Sequence, residues 1–263
     1  MNSSNIKISN YENGIVRVTL NRPEIHNAFG EELIAQLTST LLELDGDKSV
    51  RVLILDAAGK SFSAGADLNW MRKMAEYSHD ENFEDSSYLA DLMSSLYNMK
   101  CPTIAAVQGA AFGGGVGLVA CCDIAIASSN ASFCFSEVKL GLIPAVISPY
   151  VIRAISERAA KRYFVTAEKF DAQEANELGL ISEVVKQDDL NPKVMSIAEQ
   201  ILNNGPEAVI EAKQLIMDVN GKPIDGTLRN MTANKIAGIR ASSQGKEGVS
   251  AFLDKRKANW ERE

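Results

Sequence analysis

Phe112-Gly113-Gly114-Gly115-Val116-Gly117-Leu118 decides the fold once it is set beside Phe62-Ser63-Ala64-Gly65-Ala66-Asp67-Leu68. Each stretch follows an apolar, strand-like run and opens an apolar, helix-like one, so each predicts bare backbone N–H groups at the positive end of a helix. Two such turns side by side can hold one oxygen between them. Backbone donors fixed in a dry site stabilise negative charge that develops on a carbonyl, without the reorganisation water would need.

Outward from these turns, strands alternate with helices. Residues 5–9 and 15–20 predict two strands around the turn Glu12-Asn13-Gly14, and residues 31–44 predict a helix with Leu33, Ile34, Leu37, Leu41 and Leu44 on one face. Residues 51–56 are almost continuously apolar, as expected of a strand covered on both sides. A helix over 88–99, a strand over 103–107, a helix over 116–122 and a strand over 124–127 repeat the cycle. This order predicts an α/β fold. From about Pro144 the chain turns mainly helical, with candidates at 154–165, 172–178, 191–202, 207–219 and 228–241, and a last short helix at 248–260 whose second half is basic.

Composition excludes several function classes. With 263 residues and 46% hydrophobic content the chain can bury a large core. Its 27 basic and 34 acidic residues leave a net charge of -7, which argues against nucleic acid or an anionic membrane as the main partner. Arg153, Arg158, Lys161 and Arg162 read as a solvated or phosphate-facing helix surface. Cys101, Cys121, Cys122 and Cys134 form no CxxC pair and no disulfide pattern, so a reducing compartment is expected. The start, from Met1 to Lys7, lacks a secretory or transit pattern, and no apolar stretch reaches about 18 residues. These features point to a cytoplasmic protein.

The nucleotide, metal and hydrolase templates fail. Gly113 and Gly115 are followed by Leu118 where a dinucleotide fingerprint needs glycine, and Gly59-Lys60-Ser61 lacks the glycine that a phosphate loop needs at 54. His26 and His79 are the only histidines and have no metal-binding spacing, so no metal site is expected. No Gly-x-Ser-x-Gly elbow occurs. Glu137 stands out instead, an acid within the largely apolar stretch Phe133-Cys134-Phe135-Ser136-Glu137-Val138, where a carboxylate needs a partner or a chemical task.

Six ordered segments together resemble the crotonase superfamily, the enoyl-CoA hydratase/isomerase family. They are Leu20-Asn-Arg-Pro-Glu-Ile-His-Asn-Ala-Phe29, Phe62 to Leu68, Ala105-Ala-Val-Gln-Gly-Ala-Ala-Phe-Gly-Gly-Gly115, Cys122-Asp-Ile-Ala125, Ser136-Glu-Val-Lys-Leu-Gly-Leu-Ile-Pro144 and Ala251-Phe-Leu-Asp-Lys-Arg256. The resemblance implies a spiral of ββα units over 1–200, holding the active site, and a helical trimerisation region over 201–263, in a homotrimer or a homohexamer built as a dimer of trimers. It implies an acyl-CoA substrate, with coenzyme A arriving as part of that substrate and no separate cofactor. Carried over by position, the oxyanion-hole amides fall at Ala66 and Gly114 and the acid–base carboxylate at Glu137. Ala64, Ala66 and Leu68 match the adenine-pocket segment, and Phe252 and Lys255 match positions that complete the CoA site from a neighbouring subunit. Packing roles for Phe252 in the core and Lys255 on a solvated helix stand beside these, and whether Arg22 and His26 meet CoA phosphates is left open.

Hydratases of the family carry two glutamates, and the first of those positions is Gly117 here. Residues 112–123 and 141–150 look like hydratases of methylglutaconyl or isohexenylglutaconyl CoA esters, where glycine at 117 is expected and where a dicarboxylic substrate would gain space and lose repulsion. The resemblance therefore implies hydration of an enoyl-CoA thioester. An enoyl-CoA isomerase working through Glu137 alone, and an inert CoA-binding protein, are the alternatives that Gly117 favours.

Overall fold

The computed structural model describes residues 4–11 and 13–261; Glu12 of the expected turn, and Met1, Asn2 and Ser3, lie outside them. Strand β1 (Ile6–Asn10) pairs antiparallel with β2 (Ile15–Leu20), and helix α1 (Glu31–Gly46) buries Leu33, Ile34, Leu37 and Leu41 as its apolar spacing requires. Then come β3 (Val52–Ala57), β4 (Ser61–Ser63), α2 (Leu68–Met74), α3 (His79–Tyr97), β5 (Thr103–Val107), β6 (Ala110–Phe112) and α4 (Gly114–Cys121). The chain continues through β7 (Ile124–Ser128), β8 (Ser132–Cys134), α5 (Ser148–Thr166), β9 (Phe170–Asp171), α6 (Ala172–Leu178), β10 (Glu183–Val185) and α7 (Leu190–Leu202). Helices α8 (Pro206–Val219), α9 (Gly226–Ala241) and α10 (Ser243–Leu253) complete it.

Three times a strand of one sheet runs straight into a strand of another: β3 into β4, β5 into β6, β7 into β8. The result is a six-stranded sheet in the order β1-β2-β3-β5-β7-β10, parallel from β2 onward, beside a four-stranded sheet in the order β4-β6-β8-β9. In the smaller sheet β4, β6 and β8 are parallel, so the turns after β4 and β6 emerge at the same edge. That edge is where the two glycine-bearing turns lie. The smaller sheet was not legible from periodicity, because strands of two or three residues carry no alternation to read.

One apolar cluster, with Phe29, Phe62, Met93, Phe133, Phe135 and Tyr163, fills the space around the smaller sheet and α1, α3, α4 and α5. A second, with Ile15, Val52, Ile54, Ile104 and Ile126, is covered by Val194, Ala198 and Leu202 of α7. Fully burying each large aliphatic side chain contributes about 1.5–3 kcal/mol.

Two helices differ from expectation. Helix α3 starts at His79 rather than at 88, because Ser78 and Glu81 form a reciprocal capping box ahead of a polar first half that hid the helical period. The last helix runs over Ser243–Leu253 and not over 248–260; it is capped by Ser242, and the basic residues Lys255 and Arg256 lie beyond its end, with Lys255 at φ 52° and Arg256 paired with Glu247. Helices α8 and α9 bury no residue in this chain, and α10 buries only Ala251. No helix among the described residues is long and apolar enough to cross a membrane.

Candidate active site

The first donor comes from backbone geometry alone. Gly113 sits at φ 51°, ψ -120° as the N-cap of α4, a conformation that an L side chain rarely adopts. Its N–H donates to Cys134 O at 2.9 Å, which ties the turn to the end of β8, and its carbonyl accepts from Val116 and Gly117. The next amide, Gly114 N–H, opens α4 and has no acceptor among the described residues. Here the expectation of an amide at a helix N-terminus holds.

The second donor is held differently. Phe29 N–H donates to Gly65 O at 2.6 Å and Asp67 N–H donates to Phe29 O at 2.7 Å, an isolated parallel bridge that leaves Ala66 N–H without an acceptor among the described residues. Ala66 lies two residues ahead of α2, so its amide is aimed by this bridge and not by a helix end. Asp67 secures the turn: one oxygen accepts from Asn69 and Trp70 amides at the start of α2, and the other pairs with Arg22 at 3.3 Å. Arg22 also donates to Ala28 O at 3.1 Å. Below them Asn27, fully buried, accepts from Arg22 N–H and donates to Ala58 and Ser61 carbonyls, while His26 Nδ1 lies 3.1 Å from Ser61 Oγ. Arg22 and His26 thus have internal partners.

The two turns touch. A Cβ on Gly65 would sit 3.7 Å from Phe112 O, and one on Gly114 would sit 3.2 Å from the ring of Phe29, the residue whose backbone bridges Ala66. Phe29 therefore joins the two halves, a link that the sequence pattern did not reveal.

Glu137 follows β8 and begins a short 3-10 turn. Its Oε1 approaches the Gly113 turn so closely that a Cβ there would lie 3.1 Å away, and its Oε2 is buried with no hydrogen-bond partner. Burial pushes its carboxyl above the ordinary carboxylate range, against a smaller lowering by a backbone hydrogen bond. No basic side chain among the described residues pairs with it. A half-buried acid with an unpartnered oxygen, against a turn whose next amide is free, has the chemistry of a proton carrier.

The structure corrects the reading of Gly117 as a source of space. A Cβ there would lie 2.3 Å from Ile147 Cγ2, 3.0 Å from Ile147 Cβ and 3.1 Å from Met93 Cε, so the volume is already filled. Ala64, Ala66 and Leu68 share one exposed turn, with Leu68 69% exposed. Phe252 on α10 is 83% exposed, which excludes the core role considered for it, and Lys255 follows the helix end. Gly65, ahead of Ala66, lies against Phe112, and Glu137 lies against Gly113, ahead of Gly114; no hydrogen bond or ion pair of the described residues joins Phe252 or Lys255 to these turns.

Burial pushes the Cys101 and Cys122 thiols up to about 12, far from thiolate reactivity. No group of three His, Cys, Asp or Glu among the described residues is placed to hold a metal. Of the basic set on α5, Lys161 pairs with Glu157, Arg162 with Glu168, and Arg153 lies over the Tyr97 ring.

Backbone donors beside a lone acid, on a spiral of ββα units, define an enzyme of the crotonase fold. Residues 10–263 match the enoyl-CoA hydratase/isomerase family. The crotonyl-CoA hydratase of Syntrophomonas wolfei is 35% identical over 243 residues, 92% of this chain and 92% of that protein. A structure from Legionella pneumophila, named for the enoyl-CoA hydratase/isomerase (crotonase) class, is 52% identical with a TM-score of 0.94 and covers 98% of this chain and 99% of its own. An enoyl-CoA hydratase from Shewanella pealeana is 46% identical, also at 0.94, over 97% and 96%. The chain belongs to the enoyl-CoA hydratase/isomerase family.

Proposed function

We propose that this chain adds water across the 2,3 double bond of an enoyl-CoA thioester, with Ala66 and Gly114 amides as the oxyanion hole and Glu137 as the acid–base group. The observation that carries this reading is the buried, unpartnered Glu137 oxygen beside the Gly113 turn, whose next amide is free. The two amides polarise the thioester carbonyl, and Glu137 takes a proton from water as its oxygen bonds to C3. The electron pair moves to the carbonyl as an enolate, and Glu137 returns its proton to C2.

For the acyl group we propose a methylglutaconyl-type ester, of leucine or acyclic-terpene breakdown. Residues 112–123 and 141–150 support it, and a site with one carboxylate repels a dicarboxylic substrate less than a site with two. Ala64 and Leu68 would meet the adenine end, and Phe252 and Lys255 would reach it from a neighbouring copy. Helices over 201–263 would form the trimer or hexamer contact, a role supported by exposed Ile216, Ile236, Val249, Phe252 and Leu253. Four free thiols fit a reducing, cytoplasmic setting.

Gly117 favours one second reading, a double-bond isomerase in which Glu137 alone moves a proton between C2 and C4. A panel of CoA thioesters separates them: loss of conjugated-enoyl absorbance reports hydration, its gain from a 3-enoyl thioester reports isomerisation, and tight CoA binding with neither reports an inert protein. Glu137→Gln should lower kcat by about 10²–10⁴ with CoA affinity retained. Turnover within threefold of wild type would reject Glu137 as the proton carrier.

A further inference from the structure

Position 117 lies three and four residues beyond Gly114 and Gly113 on α4, hence on the helix face that looks over the candidate site. Gly117 N–H donates to Gly113 O at 3.2 Å, so position 117 stands one turn beyond the residue that Glu137 approaches. Polar chemistry would be cheap to add there by sequence change. The chain has glycine, and the space is occupied from the opposite side by Ile147.

Ile147 is 2% exposed and Met93 fully buried. The 2.3 Å approach of Ile147 Cγ2 to the Cβ position of Gly117 is below any ordinary contact, and the tight 3.0 Å contact to Ile147 Cβ does not change with rotamer. Met93 can yield, since its 3.1 Å contact is the end of a flexible chain. Ile147 cannot, because it is the N-cap of α5 and its carbonyl accepts from Tyr150 and Val151.

We propose that Ile147 is a specificity-determining residue: it fills the side-chain space of position 117, bars a second proton-carrying group from the site, and obliges Glu137 to act as both base and acid. The inference rests on the reading of Glu137 given above. In one turnover the same carboxylate removes a proton from water as the C3–O bond forms and delivers one to C2, ending as it began. Activity then follows one ionisation, rising with pH through the raised value of Glu137 to a plateau. A second acid at 117 would add a falling limb.

The test compares wild type, G117E, I147G and G117E/I147G for folding and for the pH dependence of kcat/KM on crotonyl-CoA and a glutaconyl-CoA. G117E alone should fail to fold or melt well below wild type, with activity lowered at least about tenfold. The double variant should recover folding and show two ionisations where wild type shows one. A well-folded G117E with the wild-type melting temperature, or a folded double variant with the single wild-type limb, overturns the proposal. Should the double variant not fold, the smaller cycle decides: G117A should lower the melting temperature less in an I147A background than in wild type, and equal losses overturn it. E137Q in the wild-type background keeps the two readings apart. If E137Q stays active, Glu137 was misassigned; if it is inactive while the pairing tests fail, only the role of Ile147 falls.

Discussion

The two turns that carry the proposed donors are built by opposite means. The Gly114 turn is backbone only: a glycine at positive φ, a hydrogen bond to Cys134 O and the start of α4. The Ala66 turn is held from outside by the Phe29 bridge, the Asp67 cap and Arg22. Each turn has a carboxylate beside it, and these differ too. Asp67 accepts from two amides and an arginine, whereas Glu137 keeps one buried oxygen unpartnered. One acid is used for structure and the other is left available for proton transfer, so neutralising them should have opposite effects on stability.

The sharpest way to break this contrast is Gly113→Ala. The substitution forces a side chain into a backbone conformation costing about 1–3 kcal/mol and pushes against Glu137, so the turn must move. The expected loss in kcat/KM is about 10²–10³, the size of a lost oxyanion donor. Steady-state kinetics within twofold of wild type would show that the turn does not depend on glycine.

Asp67→Ala should have a smaller effect on turnover and a measurable one on folding. It removes the cap of α2, worth about 0.5–2 kcal/mol, and leaves Arg22 without its carboxylate. We expect a lower melting temperature and about a tenfold fall in kcat, as Ala66 N–H loses its fixed aim. An unchanged melting curve would mean that the Phe29 bridge suffices alone.

The mildest effect sharpens the comparison of the acids. Because burial raises the Glu137 carboxyl, its neutral form suits the folded chain; that contribution is complete below the ordinary carboxylate range and is lost as pH rises through the raised value. Glu137→Gln stays neutral throughout. It should therefore melt above wild type at neutral pH, with the gap closing as pH falls below the ordinary carboxylate range. Thermal melts from acid to neutral pH check this, and a variant less stable than wild type at pH 7 would mean that the carboxylate is structural.

Much of this was legible in the sequence because it is local. The Gly113 turn, the helix face of α1 and the buried β3 each follow from residues within a few positions, and an acid in an apolar stretch marked Glu137. The start of α3 was missed although its signal, serine followed three residues later by glutamate, is equally local; its polar first half obscured the helical period. The four short strands were illegible for a different reason. Three residues fix no period, and such strands exist only because neighbours from distant segments supply their hydrogen bonds.

The sequence by itself determined the family, the α/β order, the two turns and the single candidate acid, since backbone conformation and burial tendency are written residue by residue. Tertiary structure alone decided that Phe29 links the turns, that Asp67 and Arg22 hold Ala66, and that the space beside Gly117 is filled. Those facts depend on which atoms meet between segments distant in the chain. Close packing settles such meetings, and no local pattern records them.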